Sequence, residues 1–357
     1  MSTDVSLEIS WFAALCDDDY EFLGVPDPLL QSSWEHCKKI VLKAEEQGFD
    51  NILLPSGYQL GIDGTSFAAA IASQTKKIRL LLAVRTGEVW APQLARQIAT
   101  IDQISNGRLD INIISSDLPG EKMDSEERYE RTTEYMQVLR QLLDGQDINY
   151  QREFIKLQIS PPRIRTTSGS CPTYYFGGFS ENAKEVAAAE ADVFLTWPDT
   201  VSEVEKAIKE MTDRSAKKGR TLKYGLRSHV IVRETEAEAR EAAVQLVSKL
   251  DDEVGAEIRN RSLDASSVGV NRQIELRQSS GQDGFAEEGL WTGIGRARSG
   301  AGAAIVGDPD QVVRKIREYQ QIGIEAFIFS GYPHIEECER FGQLVLPHLD
   351  HHPLTQS

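Results

Sequence analysis

The sequence predicts an α/β fold, a (β/α)₈ TIM barrel, from two observations. Short apolar runs alternate with longer amphipathic stretches along the 357 residues. Most apolar runs are continuous Val, Ile, Leu and Phe segments, which is typical of parallel strands covered on both faces. A doubly wound sheet is the alternative that periodicity alone leaves open. The predicted strands are Leu7–Phe12, Asn51–Leu54, Ile78–Val84, Leu109–Ile114, Thr173–Phe176, Val193–Leu195, Tyr224–Val232 and Ala326–Phe329.

The stretches between these runs carry helix signals. Asp308-Pro309-Asp310-Gln311 combines an N-cap, a proline at the first helical position and a capping-box glutamine. Gly48 and Gly323 each stand between a helical pattern and a buried strand, where glycine commonly ends a helix. A helix that ends at glycine just before a strand therefore recurs, which favours the barrel.

A stretch at about 235–307 interrupts the alternation between the seventh strand and the last helix, and it contains the glycine-rich segment 293–302. An insertion of this length in a barrel is typical of a functional lid. The glycine-rich segment lacks the dinucleotide and P-loop fingerprints, so it is either a flexible linker or a loop that closes Arg296 and Arg298 over an anion. We expect one barrel domain over 1–350, with a mobile lid at about 235–307, and a polar C-terminal tail at 351–357.

Composition and charge restrict the classes of partner. The net charge is −16 without a block of Lys and Arg, which predicts no nucleic-acid or anionic-membrane partner. No apolar run reaches membrane-spanning length, and residues 1–10 lack the features of a signal peptide. Paired metal-ligand or disulfide spacing is absent from the sequence, which predicts reduced thiols, no metal site and a cytoplasmic protein. The four cysteines are Cys16, Cys37, Cys171 and Cys338.

Candidate functional residues follow the predicted strands, because barrel active sites lie at the carboxyl ends of the strands. Arg227 and His229 are two residues apart and therefore project from one strand face. Burying them is costly unless an anion meets them, although a core arginine paired to a carboxylate is the alternative. Segment 330–334, with Tyr332 and His334, follows the last strand, and a simple turn is the alternative explanation for it. Trp197 follows another strand, and packing at the top of the barrel is the alternative explanation for this residue.

A further segment, 175–180, combines a strand end, two glycines and a helix start. The free N–H groups and the dipole of such a helix start can bind a phosphate.

Several segments resemble one family. The segment from Ala91 to Arg108, with Ala95-Arg96-Gln97 and Ser105-Asn106-Gly107-Arg108, resembles the signature of bacterial-luciferase-like flavin monooxygenases. Within that superfamily the chain is most similar to the alkanesulfonate monooxygenases over almost its whole length. The other matching segments are Tyr174–Gly178, Leu195–Trp197, Arg227–Thr235, Ser299–Gly302 and Ser330–His334.

The resemblance implies a two-component enzyme. Reduced FMN is the co-substrate, a separate NAD(P)H-dependent flavin reductase supplies it, and O₂ is consumed while an organosulfonate loses sulfite and becomes an aldehyde. It also implies a homo-oligomer, a dimer or a tetramer. Carried over by position, the catalytic residues are Trp197, Arg227, His229, Arg298, Tyr332 and His334. The candidate flavin-binding residues are Asn112, Tyr175, Gly177, Gly178 and Ser180.

The sequence departs from the alkanesulfonate pattern in two places. The loop 56–64 lacks the family's usual cysteine, and the segment 13–24 is acidic. Both are similar to the branch that acts on the sugar sulfonate sulfoquinovose, with 6-oxo-glucose as the product. Asp18, Gln59 and Asp63 suit sugar hydroxyls, whereas an alkyl tail prefers an apolar wall. The position of Cys16 relative to the substrate stays open.

Other functions remain possible at this point. Simple alkanesulfonates are the alternative substrates within the same family. A related oxygenase acting on a sulfone, an amine chelate or a pyrimidine is expected to lack the cationic set Arg227, His229 and Arg298. From a different class, a non-catalytic flavin-binding barrel or a barrel hydrolase is conceivable; a glycosidase needs two facing carboxylates.

Overall fold

The computed structural model describes residues 6–260, 267–298 and 300–355. Ser299, part of one matching segment, and residues 356–357 of the predicted tail lie outside the described residues. The strands are β1 (Glu8–Phe12), β2 (Asn51–Leu54), β3 (Arg79–Arg85), β4 (Leu109–Ile114), β5 (Ile148–Gln151), β6 (Lys156–Ile159), β7 (Tyr174–Gly177), β8 (Val193–Thr196), β9 (Lys223–Val232), β10 (Phe285–Glu287), β11 (Leu290–Trp291), β12 (Ala304–Gly307) and β13 (Ala326–Ser330). The helices are α1 (Trp34–Gln47), α2 (Gly64–Ala72), α3 (Ala91–Ser105), α4 (Ser125–Leu143), α5 (Glu181–Glu190), α6 (Val201–Lys217), α7 (Glu236–Leu246), α8 (Asp252–Asn260), α9 (Val268–Ser279), α10 (Pro309–Gln321) and α11 (His334–Leu344).

Eight of the strands close a parallel barrel, and they are the eight that the apolar runs predict. Their order is β1-β2-β3-β4-β7-β8-β9-β13, and β13 pairs back with β1 through Ile9 and Phe327. The TIM barrel is therefore confirmed, and each predicted strand boundary lies within one residue of the observed one. The carboxyl ends of all eight strands meet at one mouth of the barrel.

The predicted helix boundaries arise from local hydrogen bonds. The Ser33 hydroxyl accepts a bond from the His36 amide at the start of α1, and Gly48 ends this helix with a φ of 88°, which favours glycine. At α10, Asp308 and Gln311 form the predicted capping box, and proline occupies the first turn. These caps fix where each helix stops and the next barrel strand begins.

The side chains inside the barrel form layers, because alternate strand residues point inward. The lower layer is polar: Arg79 binds Asp110 at 2.8 and 3.0 Å. Near the carboxyl ends lie Arg85, Arg227 and the other residues of the candidate site. The middle layer is apolar and consists of Phe12, Leu53, Leu81, Tyr175, Val193, Ala326 and Ile328.

The insertion lies between β9 and α10 and attaches to the top of the barrel. Its strand β12 pairs in parallel with the outer half of β9, from His229 to Val232. A second apolar cluster joins insertion residues such as Trp291 and Ile294 to Tyr332, which follows β13. In the described ranges no helix is long and apolar enough to cross a membrane.

The C-terminal tail docks on the lower mouth of the barrel. The Leu354 amide donates to Glu8 at 2.9 Å, and the Thr355 hydroxyl donates to Asp110 at 3.2 Å. His351 contacts Asp50 at 2.9 Å. Residues 351–355 therefore cover the buried carboxylates at this end.

The buried Glu8 predicts a pH-dependent stability. Burial, reinforced by Asp110, raises the pKa of Glu8 to about 7. The folded protein favours the neutral form of Glu8. Its contribution to the free energy of unfolding is therefore full below a pH of about 4.5 and declines as pH rises through 7. When the pH is raised from 4.5 to 8, the free energy of unfolding of a Glu8→Gln variant should therefore increase relative to that of the native protein by on the order of 3 kcal/mol. Urea unfolding of both proteins at these two pH values checks this, and an equal difference at both contradicts it.

Candidate active site

A cavity of about 360 Å³ opens at the carboxyl ends of the barrel strands. The ends of β1 and β4 contribute Phe12 and Ile114, the middle of β9 contributes Arg227, and the insertion contributes Ile258 and Arg298. This is the mouth at which barrel enzymes bind their substrates. Of the predicted catalytic residues, Trp197, Arg227 and Arg298 line this cavity. His229, Tyr332 and His334 are buried beside it and are not among its lining residues.

Arg227 is a buried cation without a carboxylate partner among the described residues. Its Nη2 donates to the Ser330 hydroxyl at 2.7 Å, its Nη1 donates to the Ser228 carbonyl at 2.6 Å, and its guanidinium lies 4.5 Å from the centre of the Phe12 ring. Burial and the neighbouring Arg298 lower the pKa of Arg227 to about 9. The side chain thus stays charged at neutral pH in a place that lacks a counter-ion, which favours the binding of an anion.

Arg298 enters the cavity from the insertion and has a counter-ion. Its Nη1 donates to Asp18 at 2.8 Å and to the Tyr332 hydroxyl at 2.9 Å. Burial opposes the charge of Arg298, but Tyr332 and Asp18 outweigh it and raise the pKa. The second oxygen of Asp18, Oδ1, is buried without a hydrogen-bond partner in the described structure. The sequence predicts that Asp18 binds a sugar hydroxyl. In the structure Asp18 also pairs with Arg298, which leaves its Oδ1 available as a hydrogen-bond acceptor.

His229 and His334 stand on either side of Tyr332. The His229 ring stacks on Tyr332 with centroids 5.2 Å apart, and its Nδ1 lies 2.8 Å from the Ser330 hydroxyl. The Nδ1 of His334 lies 3.0 Å from the Phe12 carbonyl and must donate to it, so Nε2 is an acceptor. Burial lowers the pKa of both rings. Arg227 and Arg298 lower the pKa of His229 further, whereas Asp19 and Asp18 oppose the effect of burial on His334 without reversing it. Both imidazoles are therefore neutral at pH 7.

Of the other predicted substrate contacts, two line the cavity and one does not. Trp197 is half-buried and packs against Phe179 with ring centroids 5.6 Å apart. Gln59 is exposed at the rim. Asp63 instead caps α2, because its carboxylate accepts the Ser66 amide at 2.6 Å, and it is not part of the cavity lining.

The predicted flavin-binding turn joins β7 to α5. A Cβ atom on Gly177 would lie 2.2 Å from the Leu195 carbonyl oxygen, and one on Gly178 would lie 2.5 Å from the Ala183 side chain. Close packing therefore already requires glycine at both positions. Ser180 caps α5 by accepting the Ala183 amide at 3.2 Å.

Two residues predicted to contact flavin are not among the residues that line the cavity. The Tyr175 hydroxyl donates to Glu8 at 2.8 Å, so this fully buried side chain points toward the lower polar layer instead of the cavity. The alternation along β7 explains this, since Tyr175 belongs to the middle interior layer. Asn112 is half-buried on β4, two residues before Ile114, which lines the cavity.

Sequence reasoning missed several lining or supporting residues. Arg85 lines the cavity at the end of β3, where the predicted strand stops one residue short. Phe12 lies against both Arg227 and Arg298, and Ser330 joins Arg227 to His229. The rule that sites occupy strand ends could have found all three. Cys16, left open above, lines the cavity, and burial raises the pKa of its thiol.

Comparisons with known proteins agree with this architecture. The model of the luciferase-like monooxygenase family matches residues 22–326. A sulfoquinovose monooxygenase from Novosphingobium aromaticivorans is 62% identical over 355 residues, covering 98% of both chains. A sulfoquinovose monooxygenase from Agrobacterium fabrum is 51% identical over 345 residues, covering 96% of this chain and 89% of the relative.

Solved structures show the same fold at low identity. DmoA from Hyphomicrobium sulfonivorans superposes with a TM-score of 0.79 at 15% identity, covering 99% of this chain and 90% of that one. The long-chain alkane monooxygenase LadA gives 0.77 at 18% identity, covering 99% and 93%. With the match of the family model over most of its length and two relatives above half identity, the chain belongs to the luciferase-like monooxygenases.

Proposed function

We propose that this chain is a flavin-dependent monooxygenase that cleaves the C–S bond of an organosulfonate, with sulfoquinovose as the best substrate and 6-oxo-glucose as the organic product. The observation that carries the proposal is Arg227, a buried cation without a carboxylate partner among the described residues of a chain with net charge −16. Two relatives of 62% and 51% identity are sulfoquinovose monooxygenases, which supports the choice of substrate.

The sulfonate is bound by Arg227 and Arg298. A sulfonate is anionic at every physiological pH, and the guanidinium fork donates two parallel hydrogen bonds to such a group. The centre of the Phe12 ring lies 4.5 Å from the guanidinium of Arg227 and 5.3 Å from that of Arg298, so the ring stabilises both charges by cation–π attraction. The sulfonate then supplies the counter-ion that Arg227 lacks.

One of the two histidines, His229 or His334, receives the proton that the reaction releases. In balance, the sulfonate, O₂ and reduced flavin give the aldehyde, sulfite, water, oxidised flavin and one proton, which leaves the carbon that carried sulfur. Because His229 and His334 are neutral at pH 7, either imidazole can accept a proton. His334 offers Nε2 for this, since its Nδ1 already donates to the Phe12 carbonyl.

FMN is the cofactor that best fits the turn between β7 and α5. The first amides of a helix have no partner within the helix, and the first turn of α5, which follows Gly177 and Gly178 and is capped by Ser180, offers such amides to a phosphate. When bound, reduced FMN supplies, with O₂, the oxygen atom and the electrons of the reaction. A separate NAD(P)H-dependent reductase supplies the reduced flavin, since the sequence has no dinucleotide fingerprint.

The sugar hydroxyls face the polar side of the cavity. Asp18 keeps one oxygen free of hydrogen bonds, and Gln59 offers an amide at the rim. Simple alkanesulfonates are the second candidate, because Leu53 and Ile114 add apolar surface to the same cavity. The insertion at about 235–307 acts as a lid that brings Arg298 into place and excludes water. The protein acts in the cytoplasm as a homo-oligomer.

Sulfite release under steady turnover tests this function. Purified protein, O₂, FMN, NADH and a generic flavin reductase are combined with sulfoquinovose, hexanesulfonate or methanesulfonate in parallel. We expect kcat/KM for sulfite to be at least about tenfold higher with sulfoquinovose, the effect of one well-placed hydrogen bond to a charged group. Faster release from the alkyl compounds contradicts the sugar assignment of Asp18 and Gln59.

A further inference from the structure

Arg85 is a second buried cation of the cavity, and neither the matching segments nor the proposed sulfonate contacts include it. Its side chain is 6% exposed, and its Nη2 makes only a long contact, 3.4 Å, with the Ser56 carbonyl. Its Nε and Nη1 have no hydrogen-bond partner, and no carboxylate of the described residues forms an ion pair with it. On the same strand, Arg79 shows how a structural arginine is held, with two bonds of 2.8 and 3.0 Å to Asp110.

Arg85 and Arg227 stand on opposite walls of the cavity. Arg85 ends β3 and Arg227 lies on β9. In the closed order β1-β2-β3-β4-β7-β8-β9-β13 these strands are four steps apart in either direction, which is the largest separation an eight-stranded barrel allows. The cavity therefore has an unpaired arginine on each of two facing sides among the described residues, and each side favours the binding of an anion.

The wall around Arg85 is the one that leads to the flavin turn. Arg85 pairs in register with Ile114 of β4, and β4 pairs with β7, which ends at Gly177. Neighbouring strands are about 4.8 Å apart, so the turn and Arg85 are separated by about 10 Å along the barrel rim. A flavin whose phosphate binds at the turn can extend past Ile114 with its ring toward Arg85.

We propose that Arg85 binds the reduced flavin ring at its pyrimidine end. A fully reduced flavin is a weak acid, largely ionised near neutral pH, and the charge is on this end of the ring; the oxidised ring is uncharged. The unpaired guanidinium therefore favours the reduced form. This inference rests on the proposed function, and it places the flavin between Arg85 and the sulfonate-binding Arg227.

Flavin binding to Arg85→Met and Arg85→Lys, measured without turnover, tests the proposal. Quenching of tryptophan fluorescence is titrated anaerobically with reduced FMN, reduced riboflavin and oxidised FMN, and the exposed Arg163→Met serves as the matched control for the loss of one positive charge. We expect Arg85→Met to weaken the binding of reduced FMN and of reduced riboflavin by about tenfold or more, and to weaken the binding of oxidised FMN by less. Arg85→Lys should retain part of the preference for reduced flavin, and Arg163→Met should match the native protein.

Three other results each overturn the inference. If Arg85→Met loses affinity for FMN but not for riboflavin, Arg85 binds the flavin phosphate and not the ring. Unchanged flavin affinity with a raised KM for the sulfonate assigns it to the substrate. A strong fall in the Tm of flavin-free Arg85→Met assigns it to the fold, whereas removal of an unpaired buried charge should leave Tm unchanged or higher. If the native protein binds reduced flavin but releases no sulfite, the substrate is wrong and the Arg85 result still stands.

Discussion

Replacement of Arg227 by methionine should reduce kcat/KM for sulfite release from sulfoquinovose by about 100-fold or more without lowering the stability of the protein. The guanidinium is the proposed sulfonate contact, and the loss of two charge-assisted hydrogen bonds corresponds to about 3 kcal/mol. Stability should be preserved because Arg227 has no carboxylate partner among the described residues, so its removal leaves no buried charge unpaired.

Sulfite assays and thermal unfolding of the same preparations check this prediction. Arg227→Lys keeps the charge but not the fork and should recover only part of the rate. Arg163→Met, which removes an exposed arginine, controls for the change in net charge. Turnover within about threefold of the native rate in Arg227→Met, less than 1 kcal/mol, would falsify the assignment of Arg227 to the sulfonate.

Arg298→Met should reduce sulfite release as strongly and, unlike Arg227→Met, destabilise the protein. Its removal leaves Asp18 without its 2.8 Å partner, and the two side chains are only 15% and 16% exposed. We expect a loss of about 1–3 kcal/mol in the free energy of unfolding, less than for a fully buried pair. The unpaired carboxylate also repels the incoming sulfonate, so the KM should rise along with the fall in kcat.

The double variant Asp18→Asn with Arg298→Met separates these two effects. The double variant should regain stability because no charge is left unpaired, while its turnover stays low because the sulfonate has lost a contact. Urea unfolding and sulfite release are measured on the native protein, both single variants and the double variant. A double variant that recovers turnover together with stability would show that Arg298 acts only on the fold.

The barrel could be predicted from sequence because its strands are buried on both faces. Segments such as Leu80–Val84 and Ala326–Phe329 are continuous apolar runs. The hairpin of β5 and β6 escaped prediction because its residues are largely polar and partly exposed, and β10 and β11 escaped it because they are three and two residues long. β12, with four residues, was also missed. Such short strands owe their pairing to tertiary contacts, as β12 does to the outer half of β9.

The candidate site was predictable where residues follow strand ends and unpredictable where distant segments meet. Arg227 and His229 share a strand face by their spacing, and the structure links them through Ser330. Asp18 and Arg298 are 280 residues apart in sequence, so no local pattern indicates their ion pair. Tyr175 was assigned to flavin from its place beside the glycine turn, whereas the alternation along β7 directs it to Glu8.

The central claim is that this cavity binds a sugar sulfonate beside reduced flavin and removes its sulfite. Single-turnover sulfite release tests this claim most directly. The native protein is mixed anaerobically with one equivalent of reduced FMN and excess sulfoquinovose, then with oxygenated buffer, in the absence of any reductase. We expect nearly one sulfite per flavin oxidised, together with the aldehyde of the sugar. Flavin oxidation that yields hydrogen peroxide and no sulfite from this sugar would contradict the account.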